Sequence, residues 1–164
     1  MLRVLGIDPG LRITGYGVVD LADGQIEPTL VEGGVIRLSP KLSMEKRLGQ
    51  LFHDLNELIQ EFHPQQVALE KIYSHYKHPR TAILMAHARG VILLAAQQQG
   101  LSVEHLPSTA VKKALTGYGH ASKEQMQKAV QTQFRLKAPP SPPDVADAIA
   151  IALTHARRVA VTRL

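Results

Sequence analysis

Residues Leu2–Leu38 read LRVLGIDPGLRITGYGVVDLADGQIEPTLVEGGVIRL, and this stretch decides the fold. From Leu2 to Ile7 the apolar run is broken only by Arg3, the pattern of a strand buried on both faces. Asp8-Pro9-Gly10 ends it, since proline cannot donate to a ladder and glycine permits the turn. Thr14–Asp20 and Thr29–Leu38 read as the next two strands, with Asp23-Gly24 turning the chain between them. Three consecutive strands with short links predict an antiparallel meander.

After the meander the period changes. From Ser43, apolar residues fall at Leu48, Leu51, Phe52, Leu55, Leu58, Ile59 and Phe62, a helical stripe closed by Pro64. Gln66–Glu70 reads as a short strand ending in an acid, Thr81–Gln99 as a helix stopped by Gly100, and Val103–Leu106 as a fifth strand. Ser108–Leu115 holds a helical turn or two before Gly117 and Gly119. Ser122 then opens a helix through a Ser-x-x-Gln capping box to Gln125. The four prolines of Ala138–Pro143 require a loop, and a last helix follows, capped by Ser141 with Pro142 at its first position. Three strands, then helix, strand, helix, strand and helices is the order of the ribonuclease H-like α/β fold. That fold is a mixed five-stranded sheet flanked by helices on both faces.

With 164 residues, 45% of them hydrophobic and 20% charged, the chain reads as a single domain spanning 1–164. The absence of cysteine excludes a disulfide scaffold, a thiolate metal site and a cysteine nucleophile. The first residues lack the apolar region of a signal peptide. The uncharged run Val91–Val103 is too short to cross a bilayer, so the expected setting is cytoplasmic, with no membrane contact. The net charge of +5 is unevenly spread. Residues 1–70 carry 6 basic and 10 acidic side chains, whereas 71–123 carry 7 basic and only Glu104. A basic half suits a polyanion such as nucleic acid, or simply a solubilising surface.

Four acids stand in apolar company. Asp8 and Glu70 each end an apolar strand, and Asp144 and Asp147 share a helix face within SPPDVADAIAIAL. The small residues around that pair let the helix pack closely on the sheet, which brings both Asp to the strand ends. Each acid has an ordinary reading: turn former for Asp8, ion-pair partner for Glu70, helix N-terminal charge for Asp144. Together they point to a divalent cation, because buried unpaired carboxylates cost several kcal/mol each or take up protons. An all-oxygen set calls for Mg²⁺, with Mn²⁺ as substitute, and two ions about 3.5–4 Å apart would clamp a phosphodiester displacement.

The blocks Gly6-Ile7-Asp8-Pro9-Gly10, Thr14-Gly15-Tyr16-Gly17-Val18-Val19, Val67-Ala68-Leu69-Glu70, Ala86-His87-Ala88-Arg89-Gly90, Val111-Lys112-Lys113 and Asp144–His155 resemble, in order and spacing, the RuvC family of bacterial crossover junction endodeoxyribonucleases. The resemblance implies a Mg²⁺-dependent homodimer that resolves four-way Holliday junctions in recombination and DNA repair by paired, symmetric nicks. It implies a branch-migration helicase complex as partner. The family's catalytic, metal-holding acids fall on Asp8, Glu70, Asp144 and Asp147; some relatives have histidine at the third place, and this chain keeps Asp144. Its DNA-contacting lysines fall on Lys112, with Lys113 as the alternative, and on Lys123. The aromatic that stacks on junction bases, often Phe in relatives, is Tyr73 here. The dimer contact is expected on Thr81–Gln99, where Ala82, Met85, Ala86 and Ala88 are small or adaptable.

Other readings remain open at this level. A related nuclease acting on RNA satisfies the same chemistry. A non-catalytic branched-DNA-binding module would have no use for four acids facing phosphates. ATP-binding proteins of the sugar-kinase and actin type begin similarly but use two such domains, more than 164 residues hold. The segment Lys71–Arg80 reads as a DNA-contacting loop or a solvated one. His120, in a glycine-rich loop between lysines, reads as a surface histidine, and Gly117-x-Gly119 is not a nucleotide fingerprint.

Overall fold

A computed structural model of the chain describes residues 1–72 and 78–163. The strands β1 (Leu2–Asp8), β2 (Ile13–Leu21) and β3 (Thr29–Arg37) form the antiparallel meander. On the other side of β1, β4 (Gln66–Glu70) and β5 (Ser102–Leu106) add in parallel, giving the sheet order β3-β2-β1-β4-β5. Parallel neighbours need crossovers. Here α1 (Met44–Phe62) links β3 to β4, and α2 (Pro79–Gln98) links β4 to β5. After β5 come α3 (Ser108–Thr116), α4 (Lys123–Phe134) and α5 (Pro143–Thr162).

Period-two alternation sorts the strand side chains into two cores. Leu5, Ile7, Val18, Val67 and Leu69 face α1 and α2, packing with Leu51, Leu55, Ile59 and Ile92. Leu2, Val4, Val19, Ala68 and Leu106 face the other way, toward Ile149 and Ala152 of α5 and Met126 and Val130 of α4. Even-numbered positions of β1 and β4 therefore look toward α5, and those strands end on Asp8 and Glu70. Alternation within each strand, together with the parallel β1/β4 register, aims both carboxylates at one helix.

That helix lies unusually close to the sheet. A Cβ on Gly6 would come within 2.3 Å of the Ala148 carbonyl oxygen, and one on Gly15 within 2.1 Å of the Asp144 carbonyl oxygen. On Gly17 it would meet the Ile149 Cα at 2.7 Å. Contacts that short do not occur, so only glycine fits beneath α5.

Element ends depart from the sequence reading by a residue or two. α2 starts at Pro79 rather than Thr81, because proline is welcome in a first helical turn. The Ser122–Gln125 capping box forms, with bonds of 2.8 and 3.2 Å. The start of α5 corrects the reading. Its N-cap is Pro142 and its first residue Pro143, so Ser141 does not cap it. Ala88 also corrects an expectation: it is fully buried in the core under α2 and cannot lie on an outward contact. Among the described residues no helix is long and apolar enough to cross a membrane.

Candidate active site

The strand register brings the acids together. Ile7 pairs with Leu69 across the parallel β1/β4 contact, which sets Asp8 beside Glu70 at the same sheet end. Asp8 itself pairs with Gly15, and it is over Gly15 that the backbone of Asp144 lies. Asp147 follows about one turn further along α5. Glu70 and Asp147 then line one cleft of about 130 Å³ with Ser108, Val111, Lys112, Met126 and Ile151.

The protonation equilibria carry the signature of this crowding. Burial pushes the Asp8 carboxyl well above the usual range, and the charges of Glu70, Asp147 and Asp144 push it further, against Lys123. Glu70 is raised by burial and by Asp147, while a hydrogen bond from the Ser108 hydroxyl and the charge of Lys112 pull it back. Asp147 is raised by burial and by Asp144, with Lys112 and Lys123 opposing. Three half-buried acids that repel one another, with lysines beside them, form a site short of positive charge.

That shortage, in an all-oxygen donor set, fits a hard divalent cation. Among the described residues, the His and acid groups whose ligand atoms lie within 4.8 Å of one another are His53, Asp54 and Glu57, on α1. No three of Asp8, Glu70, Asp144 and Asp147 bring their carboxylate oxygens within that mutual distance. His53 and Glu57 form an exposed i, i+4 pair at 3.3 Å, an ordinary surface contact.

Of the basic residues singled out, Lys112 lines the cleft and the exposed Lys113 does not, one residue being about 100° round the helix. Lys123 opens α4, and its charge reaches Asp8 and Asp147. Tyr73 lies outside the described residues. Sequence reasoning missed Ser108, although its place four residues before Lys112 puts both on one face of α3. It also missed the buried His155, whose Nε2 lies 2.8 Å from the Gln66 Oε1. A lone histidine in an alanine-rich helix carries no such signal.

Comparison with known proteins gives a uniform result. The family described as "Crossover junction endodeoxyribonuclease RuvC" matches residues 4–155. The proteins of that name from Rhodopirellula baltica and Brevibacillus brevis are 47% and 42% identical, covering 92% and 95% of this chain and 83% and 92% of their own. Among solved structures, T. thermophilus RuvC in complex with Holliday junction substrate superposes with a TM-score of 0.88 at 36% identity, over 99% of this chain and 97% of that one. The yeast mitochondrial Holliday junction resolvase Ydc2, 15% identical with a TM-score of 0.70, shares the fold. Sheet order, helix placement and these matches agree on the ribonuclease H-like architecture, and the chain belongs to the RuvC family of crossover junction endodeoxyribonucleases.

Proposed function

We propose that this protein is an endonuclease that resolves four-way DNA junctions by hydrolysing phosphodiesters in two strands of like polarity. The observation that carries the reading is the convergence of Asp8, Glu70, Asp144 and Asp147 at one sheet end, beneath Lys112 and Lys123, in a chain of this family. Those four carboxylates would hold Mg²⁺, replaceable by Mn²⁺, with two ions per site. When bound, the cations supply Lewis-acid stabilisation of charge on the phosphoryl oxygens and activate water.

The chain's own residues do the rest. Ser108 lines the cleft with Glu70 and pulls its carboxyl back toward the ionised form, and Val111, Met126 and Ile151 wall the cleft with apolar surface that keeps its dielectric low. Lys112 and Lys123 draw the phosphate backbone over the acids as point charges and read no base. Tyr73 keeps, from the family resemblance, the role of stacking on a junction base.

One set of acids cuts one strand, so paired nicks call for a second copy related by a two-fold axis. The outer face of α2 suits that contact. Ile83 and Leu94 are 58% and 50% exposed, and with Ala86 and Gly90 they form one stripe at helical spacing. A monomer in sedimentation at micromolar concentration that still made paired nicks would overturn the dimer.

The decisive experiment offers the protein a synthetic four-way junction, a linear duplex and single-stranded RNA, each with and without Mg²⁺. Symmetric nicks in the junction alone, only with metal, are the expected result. Cleavage of RNA would favour an RNA-directed relative, and junction binding without cleavage a non-catalytic module.

A further inference from the structure

Beyond the acid cleft, the basic surface carries a second concavity. α3 ends at Gly117 in the left-handed region (φ 78°), and a short turn delivers the chain into α4. Tyr118, in that turn, is 59% exposed, yet its backbone is pinned. Its N–H donates to Thr116 Oγ1 at 3.1 Å, and its carbonyl accepts from the Ala121 N–H at 3.3 Å. The ring meets His120 edge-on, with centroids 5.7 Å apart. A large exposed ring on a fixed backbone has little entropy left to lose when something covers it.

Tyr118 walls an open groove of about 660 Å³ whose lining includes Leu115, Ala129, Lys128 and Arg135 but no carboxylate. Among the described residues neither Lys128 nor Arg135 is in an ion pair. Lys128 lies within α4 and Arg135 caps its end in the left-handed region (φ 52°), so both border the groove from the same helix. α4 also begins at Lys123, whose charge reaches Asp8, so a strand leaving the acids along α4 passes directly into the groove.

We propose that this groove is a second DNA-binding site, holding one strand of a junction arm outside the acid cleft. Lys128 and Arg135 take its phosphates, and the Tyr118 ring covers a sugar or an exposed base. The proposal rests on the reading that the protein binds branched DNA.

The test measures binding of the whole protein, without divalent cation, to four-way junctions with long and with short arms across a salt series. A Lys128→Gln/Arg135→Gln variant should bind the long-armed junction about 10-fold more weakly. Its log–log salt slope should be shallower by about 1.8, at about 0.9 per phosphate contact. Tyr118→Ala should lose on the order of 10-fold with an unchanged melting temperature, and Tyr118→Phe should bind like the native protein. On short arms all variants should converge on native affinity. Native affinity and slope on long arms would overturn the groove, as would losses undiminished by shortening the arms. A lower melting temperature with native affinity for Tyr118→Ala would return the ring to a structural role. The preference of native protein for four-way over linear DNA is read in the same series. Its absence would overturn the junction reading, while the groove is judged separately on the variant-to-native ratio.

Discussion

The two faces of the sheet solve different problems with different residues. Toward α1 and α2 the strands present Leu5, Ile7, Val18 and Leu69, and branched aliphatic chains fill a thick layer. Toward α5 the meander presents Gly6, Gly15 and Gly17, and the helix answers with Ala148 and Ala152, so backbone nearly touches backbone. On the aliphatic face large side chains from strands and helices meet and are buried together. The glycine face gives up that burial, and what it gains is position: Asp144 and Asp147 come down to the level where β1 and β4 end. A close approach costs core volume, and here it brings the two acids of α5 toward the ends of β1 and β4.

The largest expected effect tests chemistry on the glycine face against its absence on the other. Asp8→Asn, Glu70→Gln, Asp144→Asn or Asp147→Asn should each reduce junction nicking by about 10²–10³-fold or more, while metal-free junction binding persists. On α1, His53→Ala and Glu57→Ala should leave nicking unchanged. Initial rates on a synthetic junction decide the matter, and near-native cutting by Asp8→Asn would sink the assignment.

Next in size is the response to volume. Leu55→Ala on the aliphatic face should lower stability by about 2–5 kcal/mol and still permit nicking below its melting temperature. Gly15→Ala adds one methyl yet meets the Asp144 carbonyl, so it should destabilise by about 3 kcal/mol or more. It should also impair nicking in whatever protein stays folded, because α5 must lift. Urea denaturation alongside nicking rates separates the two behaviours.

A pH series sharpens the same contrast. Asp8, Glu70 and Asp147 all have carboxyl groups raised in the folded state, so the folded protein holds their protons more tightly than the unfolded chain. Their contribution is fully present below the unfolded values of about 4 and is lost as pH rises through the raised folded ones. Metal-free protein should therefore lose stability above about pH 4, by about 1.4 kcal/mol for each tenfold by which folding tightens proton binding. Asp8→Asn should flatten that decline, and excess Mg²⁺ should oppose it. Denaturation in chelator across this range is the measurement, and a flat profile would contradict the buried-charge account.

The smallest effects belong to the lysines. Lys112→Gln and Lys123→Gln should each flatten the log–log salt dependence of junction binding by about 0.9, with cleavage-site preference unchanged. Lys113→Gln, one position round α3 and outside the cleft, should change the slope less.

Much of this molecule is legible in its sequence because the signals are local. The apolar run of β1, the turn at Asp8-Pro9-Gly10, the stripe of α1 and the capping box at Ser122 are short-range patterns, and each marks an element that forms. Asp8 and Glu70 are visible because a carboxylate ending an apolar strand conflicts with its neighbours, and Asp144 and Asp147 because they share one face of an alanine-rich helix. What stayed hidden depends on partners distant in the chain. Ser108 matters only because Glu70 is beside it, Ala88 turns inward only because the core lies beneath α2, and Gly15 is required only because Asp144 crosses above it.

Composition and periodicity by themselves determined a mixed α/β chain with a basic half and four misplaced acids, because hydrophobic alternation and charge are properties of the chain alone. Tertiary structure alone decided which face each strand end looks toward, how near α5 comes, and that Lys112 rather than Lys113 lines the cleft. Those facts are set by strand register and by how closely the α5 backbone approaches the sheet, which no local pattern encodes.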